Sequence, residues 1–329
     1  MTPPLSILDL AIVGSRQTVR DSLEATVVLA RHAEAEGFQR VWYAEHHNMA
    51  AIASSATSVL IAHVAANTQT IRLGAGGIML PNHAPLLIAE QFGTLAELHP
   101  GRIELGLGRA PGSDQATQRA LRRAPTSADY FPQDVLELQG YLSDHTRIPG
   151  VEATPGKGTH VPLYILGSSL FGASLAAALG LPYAFASHFA PAALEEAVAL
   201  YRKEFQPSEQ LDRPHVIAGV NVVAADTNAV AEAHLLYSQR RRVSQFLAPG
   251  RKLSDDEADA LVASRAGRQV LQMMKYMAVG DAHAVARYLD EFAVISHADE
   301  LIVTLMSPTI DDRLRAATIL GQIAERSVA

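Results

Sequence analysis

Residues 71–98, IRLGAGGIMLPNHAPLLIAEQFGTLAEL, contain one complete strand–loop–helix unit. The nearly apolar run Ile71–Met79 predicts a buried strand, and Pro81 ends it. Apolar spacing over Pro85–Leu98 predicts a helix with proline in its first turn, where the missing N–H costs nothing. The next apolar run, Ile103–Leu107, follows after a few residues. Buried strands that alternate with helices are typical of an α/β fold with a parallel sheet.

The same alternation recurs along the chain and gives eight predicted strand–helix units. The predicted strands are Leu5–Ile12, Arg40–Ala44, Ile71–Met79, Ile103–Leu107, Pro162–Leu166, Tyr183–Ala186, His215–Ala224 and Glu300–Thr304. Eight such units fit a closed (β/α)₈ TIM barrel of about 250 residues. An open doubly wound sheet alternates in the same way and stays as the alternative. No linker divides the chain, so we expect one domain over 1–329, with loop insertions near 110–131, 147–160 and 237–280.

The composition excludes several function classes. The chain has 48% hydrophobic and 19% charged residues and a formal charge of −7, which is typical of a globular protein that does not bind nucleic acid. No apolar run approaches the ~20 residues of a membrane span and no basic leader is present, so a cytoplasmic location is predicted. Cysteine is absent, so any redox chemistry requires a bound cofactor.

Polar residues follow most of the predicted strands, at the end of a barrel where active sites lie. Adjacent side chains on an extended backbone point to opposite faces, so His46 and His47 are poor joint ligands for an ion, and we predict no metal site. The polar residues that follow the strands are Glu45, His46, His47 and Asn48; Asn82 and His83; Arg109; Ser168 and Ser169; Ser187 and His188; and Ser307.

Two of these groups have features of a cofactor site. Ser168 and Ser169 precede a predicted helix, whose first N–H groups favour an anion such as phosphate, and Arg109 follows the neighbouring strand. An ordinary serine cap and a surface ion pair are the alternatives. Gly76 and Gly77 would let a planar ring approach the third strand, although a tightly packed barrel corner would also require glycine.

Four stretches together resemble the bacterial-luciferase-like flavin-dependent monooxygenases, and more narrowly the single-chain luciferase family oxidoreductases. They are VWYAEHHN at 41–48, GAGGIMLPNHAPL at 74–86, HPGRIELGLGRAPGSD at 99–114 and ILGSSLFGASLAAALGLPYAFASHFAP at 165–191. The resemblance covers nearly the whole chain and implies a (β/α)₈ barrel that uses reduced FMN (FMNH2) delivered by a separate flavin reductase. It further implies an FMN-dependent oxidoreductase that acts on paired donors and incorporates molecular oxygen (dioxygen) into a small-molecule substrate. Family members are commonly homodimers.

The resemblance also implies roles for residues near the flavin ring. The family's Glu-His-His motif corresponds to Glu45, His46 and His47, with His46 as the catalytic histidine and the other two as residues that orient it. A non-proline cis peptide under the flavin corresponds to Gly76-Gly77.

The phosphate-binding residues of the family correspond to Arg109, Ser168 and Ser169. Gly172 stands where the family has a threonine, so one phosphate-binding hydroxyl is missing. The cysteine near the flavin's reactive edge is also absent, which leaves light emission unsupported.

Three alternative functions remain at this point. An F420-dependent oxidoreductase and a non-catalytic flavin-binding protein both share the fold, and a metal-dependent hydrolase would use the Glu-His-His end of the second strand. The substrate is not indicated by the sequence. Residues that would line its pocket are Met49, His188, Phe189 and Met306.

Overall fold

The computed structural model describes residues 2–14, 17–109, 114–124 and 126–328. Within these ranges, eight parallel strands close into a barrel and a ninth short strand pairs beside it. The strands are β1 (Leu5–Asp9), β2 (Arg40–Tyr43), β3 (Arg72–Met79), β4 (Ile103–Gly108), β5 (Leu163–Gly167), β6 (Tyr183–Phe185), β7 (Val216–Ala224), β8 (Met277–Gly280) and β9 (Glu300–Leu305).

Helices follow the strands and surround the barrel. Among the described residues they are α1 (Val19–Ala35), α2 (Thr57–Ala65), α3 (Pro85–Leu98), α4 (Gln115–Ala120), α5 (Phe131–Leu142), α6 (Leu170–Leu179), α7 (Leu194–Glu204), α8 (Asn228–Leu247), α9 (Asp255–Ala263), α10 (Arg265–Gln272), α11 (Ala282–Ser296) and α12 (Ile310–Val328). None of the described helices is long and apolar enough to cross a membrane.

The strand pairings show that the sheet is closed. The ring runs β1-β2-β3-β4-β5-β6-β7-β9, with Tyr183 opposite Val216 between β6 and β7 and Leu5 opposite Leu301 between β1 and β9. An open sheet would leave two edges unpaired, so the doubly wound alternative is wrong. The predicted α/β (β/α)₈ TIM barrel is confirmed, and all carboxyl ends of its parallel strands meet at one rim.

The strand β8 was not predicted from the sequence. It pairs with Asn221–Ala224 of β7, whereas β9 pairs with Ile217–Val222 along the opposite edge of the same strand. On this edge of β7, β6 pairs only as far as Ala218, and β8 pairs with the residues that follow from Asn221. The region 237–280 therefore contains the end of α8, α9, α10 and β8.

The other two predicted insertions contain little regular structure. Residues 110–113 and 125 lie outside the described residues, and the rest of 110–131 forms α4 and a 3₁₀ turn, Ser127–Tyr130. No helix or strand is assigned within 147–160.

Side chains at the amino-terminal end of the barrel interior form a buried charge network. Arg40 donates to Glu104 Oε2 at 2.7 Å and to Glu300 Oε2 at 2.9 Å, and all three side chains are 3% exposed. Trp42 Nε1 also donates to Glu104, at 3.0 Å. Burial alone would raise the pKa of Glu300, but the hydrogen bond from His215 and the charge of Arg40 lower it. Each of the two buried carboxylates is therefore compensated by a cation.

The start of α2 has no side-chain cap. Its N-cap is Ala56, which makes no side-chain hydrogen bond, although two serines, Ser54 and Ser55, precede it. Ser54 Oγ instead donates to the Leu10 carbonyl at 3.0 Å, and Ser55 Oγ donates to the His46 carbonyl at 2.8 Å. Both serines thus fix the loops that follow β1 and β2.

Candidate active site

Glu45 is the centre of a polar cluster at the carboxyl ends of β2 and β3. Its side chain is 1% exposed. Glu45 Oε1 lies 2.8 Å from His47 Nε2 and 2.9 Å from His83 Nε2, and Glu45 Oε2 accepts from the Met79 N–H at 3.0 Å. Neighbouring strands bring these groups together, because β2 ends two residues before Glu45 and β3 ends at Met79.

The ionisation of this cluster follows from its hydrogen bonds. Burial would raise the pKa of Glu45, but the hydrogen bonds from His47 and His83 lower that pKa to about 2. The hydrogen bond to Glu45 in turn raises the pKa of His47. Glu45 is therefore a carboxylate that favours the protonated form of His47.

His83 was among the polar residues at the strand ends, but its contact with Glu45 was not predicted. It directly follows the 3₁₀ turn Leu80–Asn82 at the end of β3, and its ring reaches Glu45 after β2. The ligand atoms of Glu45, His47 and His83 all lie within 4.8 Å of one another, so these three could also hold a cation. A metal site would therefore use His83, and not the adjacent pair of histidines.

His46 is half-buried. It interacts electrostatically with His188, whereas His47 bonds Glu45. Its backbone N–H donates to the Ser54 carbonyl at 3.4 Å, which holds the loop. Its side chain is close enough to His188 for its charge to lower the pKa of that residue. In the eight-stranded ring, β2 and β6 are opposite each other, so His46 and His188 lie across the mouth of the barrel.

His188 is held at this mouth with one ring nitrogen unpaired. Its Nδ1 is buried and has no hydrogen-bond partner, while its carbonyl accepts from Asn221 Nδ2 at 2.6 Å. Burial, followed by the charges of Arg242 and His46, lowers the pKa of His188 to about 4. The ring is therefore neutral at neutral pH, and its Nδ1 packs against Gly219 of β7, where an added Cβ would lie 2.4 Å from it.

The peptide bond between Gly76 and Gly77 is cis, as the resemblance implies. A Cβ at Gly76 would lie 2.8 Å from Leu8 Cδ1 and 2.9 Å from Trp42 Cβ, and a Cβ at Gly77 would lie 2.7 Å from the Gly106 carbonyl oxygen. Tight packing inside the barrel therefore requires both glycines. A flavin against this pair stays a prediction.

Arg109 and the start of α6 lie together, as the sequence predicts. The Arg109 guanidinium carbon is 4.3 Å from the centroid of the Phe171 ring, in the first turn of α6. The N-cap residue Ser169 makes no capping hydrogen bond with its side chain, and Ser168 is half-buried beside it. Within the described ranges, no carboxylate lies within ion-pair distance of Arg109. These groups thus form a cradle with the chemistry to bind an anion.

The family model described as luciferase-like monooxygenase matches residues 5–298. The chain belongs to this family. The Escherichia coli (strain K12) luciferase-like monooxygenase is 46% identical over 92% of this chain and 91% of its own length. The Bacillus subtilis (strain 168) N-acetyl-S-alkylcysteine monooxygenase is 35% identical over 78% of each chain. The crystal structure of apo-MsnO8 has a TM-score of 0.89 and 34% identity, and 98% of each chain is covered.

Two further structures share the fold of this chain and contain a cofactor. A type II Baeyer–Villiger monooxygenase from Pseudomonas putida in complex with FMN has a TM-score of 0.72 at 14% identity, covering 98% of this chain and 97% of that one. An F420-dependent secondary alcohol dehydrogenase with an F420–acetone adduct has a TM-score of 0.71 at 15% identity, covering 98% of both. The family suggests an oxidoreductase, and these two structures show that the fold is shared.

Gly172 stands where the resemblance predicts a threonine. Gly172 is buried, and an added Cβ would lie 3.3 Å from Tyr183 Cε2 and 3.5 Å from the Gly167 Cα. The Tyr183 hydroxyl donates to the Ser169 carbonyl at 3.0 Å. A threonine at this position would press on the Tyr183 ring, which supports the start of α6. The packing around Tyr183 therefore favours glycine at position 172.

The predicted substrate-lining residues separate into two groups. Met306 packs against a buried cluster that includes Val223, and its carbonyl accepts from Ser238 on α8, so its side chain has a structural role. Phe189 is 41% exposed and lies edge-on to His188 at 5.2 Å. Met49 is half-buried in the loop after β2.

Proposed function

We propose that this protein is an FMN-dependent monooxygenase that uses reduced FMN and dioxygen to oxidise a small organic substrate. The observation that carries the proposal is the position of Arg109 over Phe171 at the start of α6. A cation without a carboxylate partner beside exposed helix N–H groups suits the doubly charged phosphate of FMN. The N-acetyl-S-alkylcysteine monooxygenase among the relatives supports a small organic substrate.

The proposed cofactor contacts follow the rim from β3 to β5. Arg109, Ser168 and Ser169 would hold the phosphate, with the backbone near Gly172 in place of the missing threonine hydroxyl. Gly76-Gly77 would lie against the flavin ring. When bound in its reduced form, FMN supplies the electrons that activate dioxygen. Coenzyme F420 is the alternative cofactor, because it has been found on the same fold.

The proposed role of His46 is to exchange a proton at one imidazole nitrogen close to the reacting groups, a task suited to a side chain with an ordinary pKa of about 6.5. Glu45 and His47 act on it indirectly. Glu45 bonds His47, His83 and the Met79 N–H, which fixes the β2 loop to β3 and so fixes the backbone that carries His46. The neutral His188 faces His46 and completes the mouth.

We further propose a cytoplasmic homodimer that receives reduced flavin from a separate reductase. The helices α2 and α3 support a dimer face, because Val59 is 68% exposed and Leu87 is 54% exposed on them. Apolar side chains on adjacent helices are commonly covered by a second subunit. Sedimentation of the wild-type protein and of Val59→Glu tests this face: a dimer that persists in the variant would exclude it.

Arg109→Ala tests the phosphate cradle. It should weaken FMN binding by ~1.5–3 kcal/mol, the scale of a hydrogen bond to a charged group, with little effect on riboflavin, which lacks the phosphate. Fluorescence titration of FMN, riboflavin and F420 measures all three affinities. The matched control is Arg119→Ala, which removes an exposed arginine from the nearby α4.

Three outcomes would contradict the proposed function. Equal losses for FMN and riboflavin would remove Arg109 from phosphate binding. Binding of F420 with no binding of FMN would assign the protein to the F420-dependent alternative. Stoichiometric metal in the purified protein that is lost in His83→Ala would instead favour the hydrolase alternative.

A further inference from the structure

Three consecutive arginines on α8 have different surroundings. Arg240 forms ion pairs with Asp259 at 2.6 Å and Asp255 at 2.8 Å. Arg241 donates to the Val13 carbonyl at 2.8 Å. Because successive helical residues point about 100° apart, Arg242 faces a third direction. Its side chain therefore contacts a different part of the molecule from the side chains of Arg240 and Arg241.

Arg242 is a half-buried cation without an anionic partner. Its Nε is buried and has no hydrogen-bond partner, and its guanidinium carbon lies 4.9 Å from the centroid of the Phe246 ring. Among residues 2–14, 17–109, 114–124 and 126–328, no carboxylate is within ion-pair distance of it. Burial accordingly lowers its pKa. An uncompensated buried charge destabilises a protein, so a ligand that supplies the missing anion would be bound favourably.

The position of Arg242 is shown by hydrogen bonds from the same stretch of α8. Ser238 Oγ donates to the Met306 carbonyl after β9, and Arg241 donates to the Val13 carbonyl after β1, so this part of the helix lies over the carboxyl rim of the barrel. The charge of Arg242 also acts on His188 at the end of β6, which agrees with this placement. The carboxylate beside His46, Glu45, is already bonded to His47 and His83. Within the described ranges, Arg242 is therefore a cation at the rim that no carboxylate pairs with.

We propose that Arg242 binds a carboxylate of the substrate, so that the substrates are small organic acids. The inference rests on the proposed function, because it places the substrate beside His46. A planar guanidinium can donate two parallel hydrogen bonds to a carboxylate, which fixes both position and orientation. The face of the Phe246 ring contacts the apolar part of the substrate. This site is separate from the cradle at Arg109, which lies on β4 and α6.

The test compares acids with neutral molecules of the same shape. Calorimetric titrations use butanoate, hexanoate and octanoate against butanamide, hexanamide and octanamide, with and without FMN. The proteins are the wild type, Arg242→Met and the control Arg240→Met, which removes the neighbouring paired arginine. We expect the acids to bind about tenfold to a hundredfold tighter than the amides in the wild type and the control. The preference should disappear in Arg242→Met.

Arg242→Lys separates charge from geometry and replaces Arg242→Met if the latter does not fold. The lysine variant should keep only part of the preference, because an ammonium group cannot bind both carboxylate oxygens in the same planar way. A wild type without preference for acids, or a preference that survives in Arg242→Met, would overturn the inference.

Two further results separate this inference from the proposed function. If the wild type does not bind FMN, the proposed function fails, while the acid preference of the FMN-free protein still decides the role of Arg242. If Arg242→Met shifts the reduction potential of bound FMN but leaves the acid preference unchanged, the arginine contacts the flavin and the substrate assignment is overturned.

Discussion

The two ends of the barrel both bury ionisable side chains, but they differ in whether the buried charges have an oppositely charged partner. At the amino-terminal end, Arg40 forms ion pairs with Glu104 and Glu300, although its own Nε is buried without a hydrogen-bond partner. At the carboxyl end, Arg242 also has a buried Nε without a partner, and no carboxylate of the described residues lies within ion-pair distance of it. A buried charge without a counter-charge destabilises the free protein, whereas an ion pair fixes its geometry. The comparison indicates that the amino-terminal end maintains the barrel and that the carboxyl end is completed by ligands.

His46→Ala would sharpen this comparison at the carboxyl end. Loss of an acid–base group of this kind typically slows a reaction by ~10²–10⁴-fold, while a half-buried side chain at the mouth contributes little to stability. Stopped-flow single-turnover oxidation of reduced FMN and urea unfolding measure the two properties. The control is His63→Ala, an exposed histidine on α2. Unchanged single-turnover oxidation would remove His46 from the mechanism.

Arg40→Met should have the opposite effect at the amino-terminal end. It leaves Glu104 and Glu300 buried without their shared cation, which typically destabilises a protein by ~3–5 kcal/mol. Urea unfolding measures the loss, and FMN affinity should be unchanged wherever the protein is folded. Arg20→Met, which breaks an exposed pair with Glu24, is the matched control. A loss no larger than in that control would contradict a stabilising role for the network.

A dependence of stability on pH should arise mainly from the carboxyl end. The pKa of His188 is about 4 in the folded protein and ordinarily 6.5, so the unfolded chain binds more protons between these values. Stability should therefore fall as the pH drops, by about 1–2 kcal/mol between pH 7 and pH 5. The raised pKa of His47 has the opposite sign, because its contribution is lost as the pH rises.

The contribution of His188 is measured as the difference between the wild type and His188→Gln at each pH. Glu45 and Glu300 do not disturb this interval, because their lowered pKa values cause stability to fall only below about pH 4.5. If the free energy of unfolding changes equally in the two proteins from pH 7 to pH 5, His188 is not buried in its neutral form.

Local sequence patterns were sufficient for most of the barrel. Thr18 caps α1 and forms a reciprocal capping pair with Asp21, three residues away. The bounds Pro85–Leu98 of α3 were predicted in full. In each case, the signal lies within a few residues of the feature that it predicts, and tertiary packing does not oppose it.

The features that the sequence did not predict depend on distant residues. The strand β8 has only four residues, and its pairing with β7 defines it. The contact between Glu45 and His83 requires two strand ends to be adjacent, although both residues were candidates. The exposed cation Arg109 was correctly placed beside α6, whereas Arg242 lies on a helix and so was not among the strand-end residues.

The pairing of β8 with β7 has a consequence for how this scaffold can be altered. The segment 225–276 leaves the barrel where the Ala225 N–H bonds the Gly280 carbonyl, and it returns where the Asn221 N–H bonds the Tyr276 carbonyl. Its two ends are thus anchored to neighbouring positions of one strand. A chimaera that exchanges this segment with that of a relative joins the barrel at two neighbouring positions of β7, so the exchange leaves the other strands of the ring unchanged.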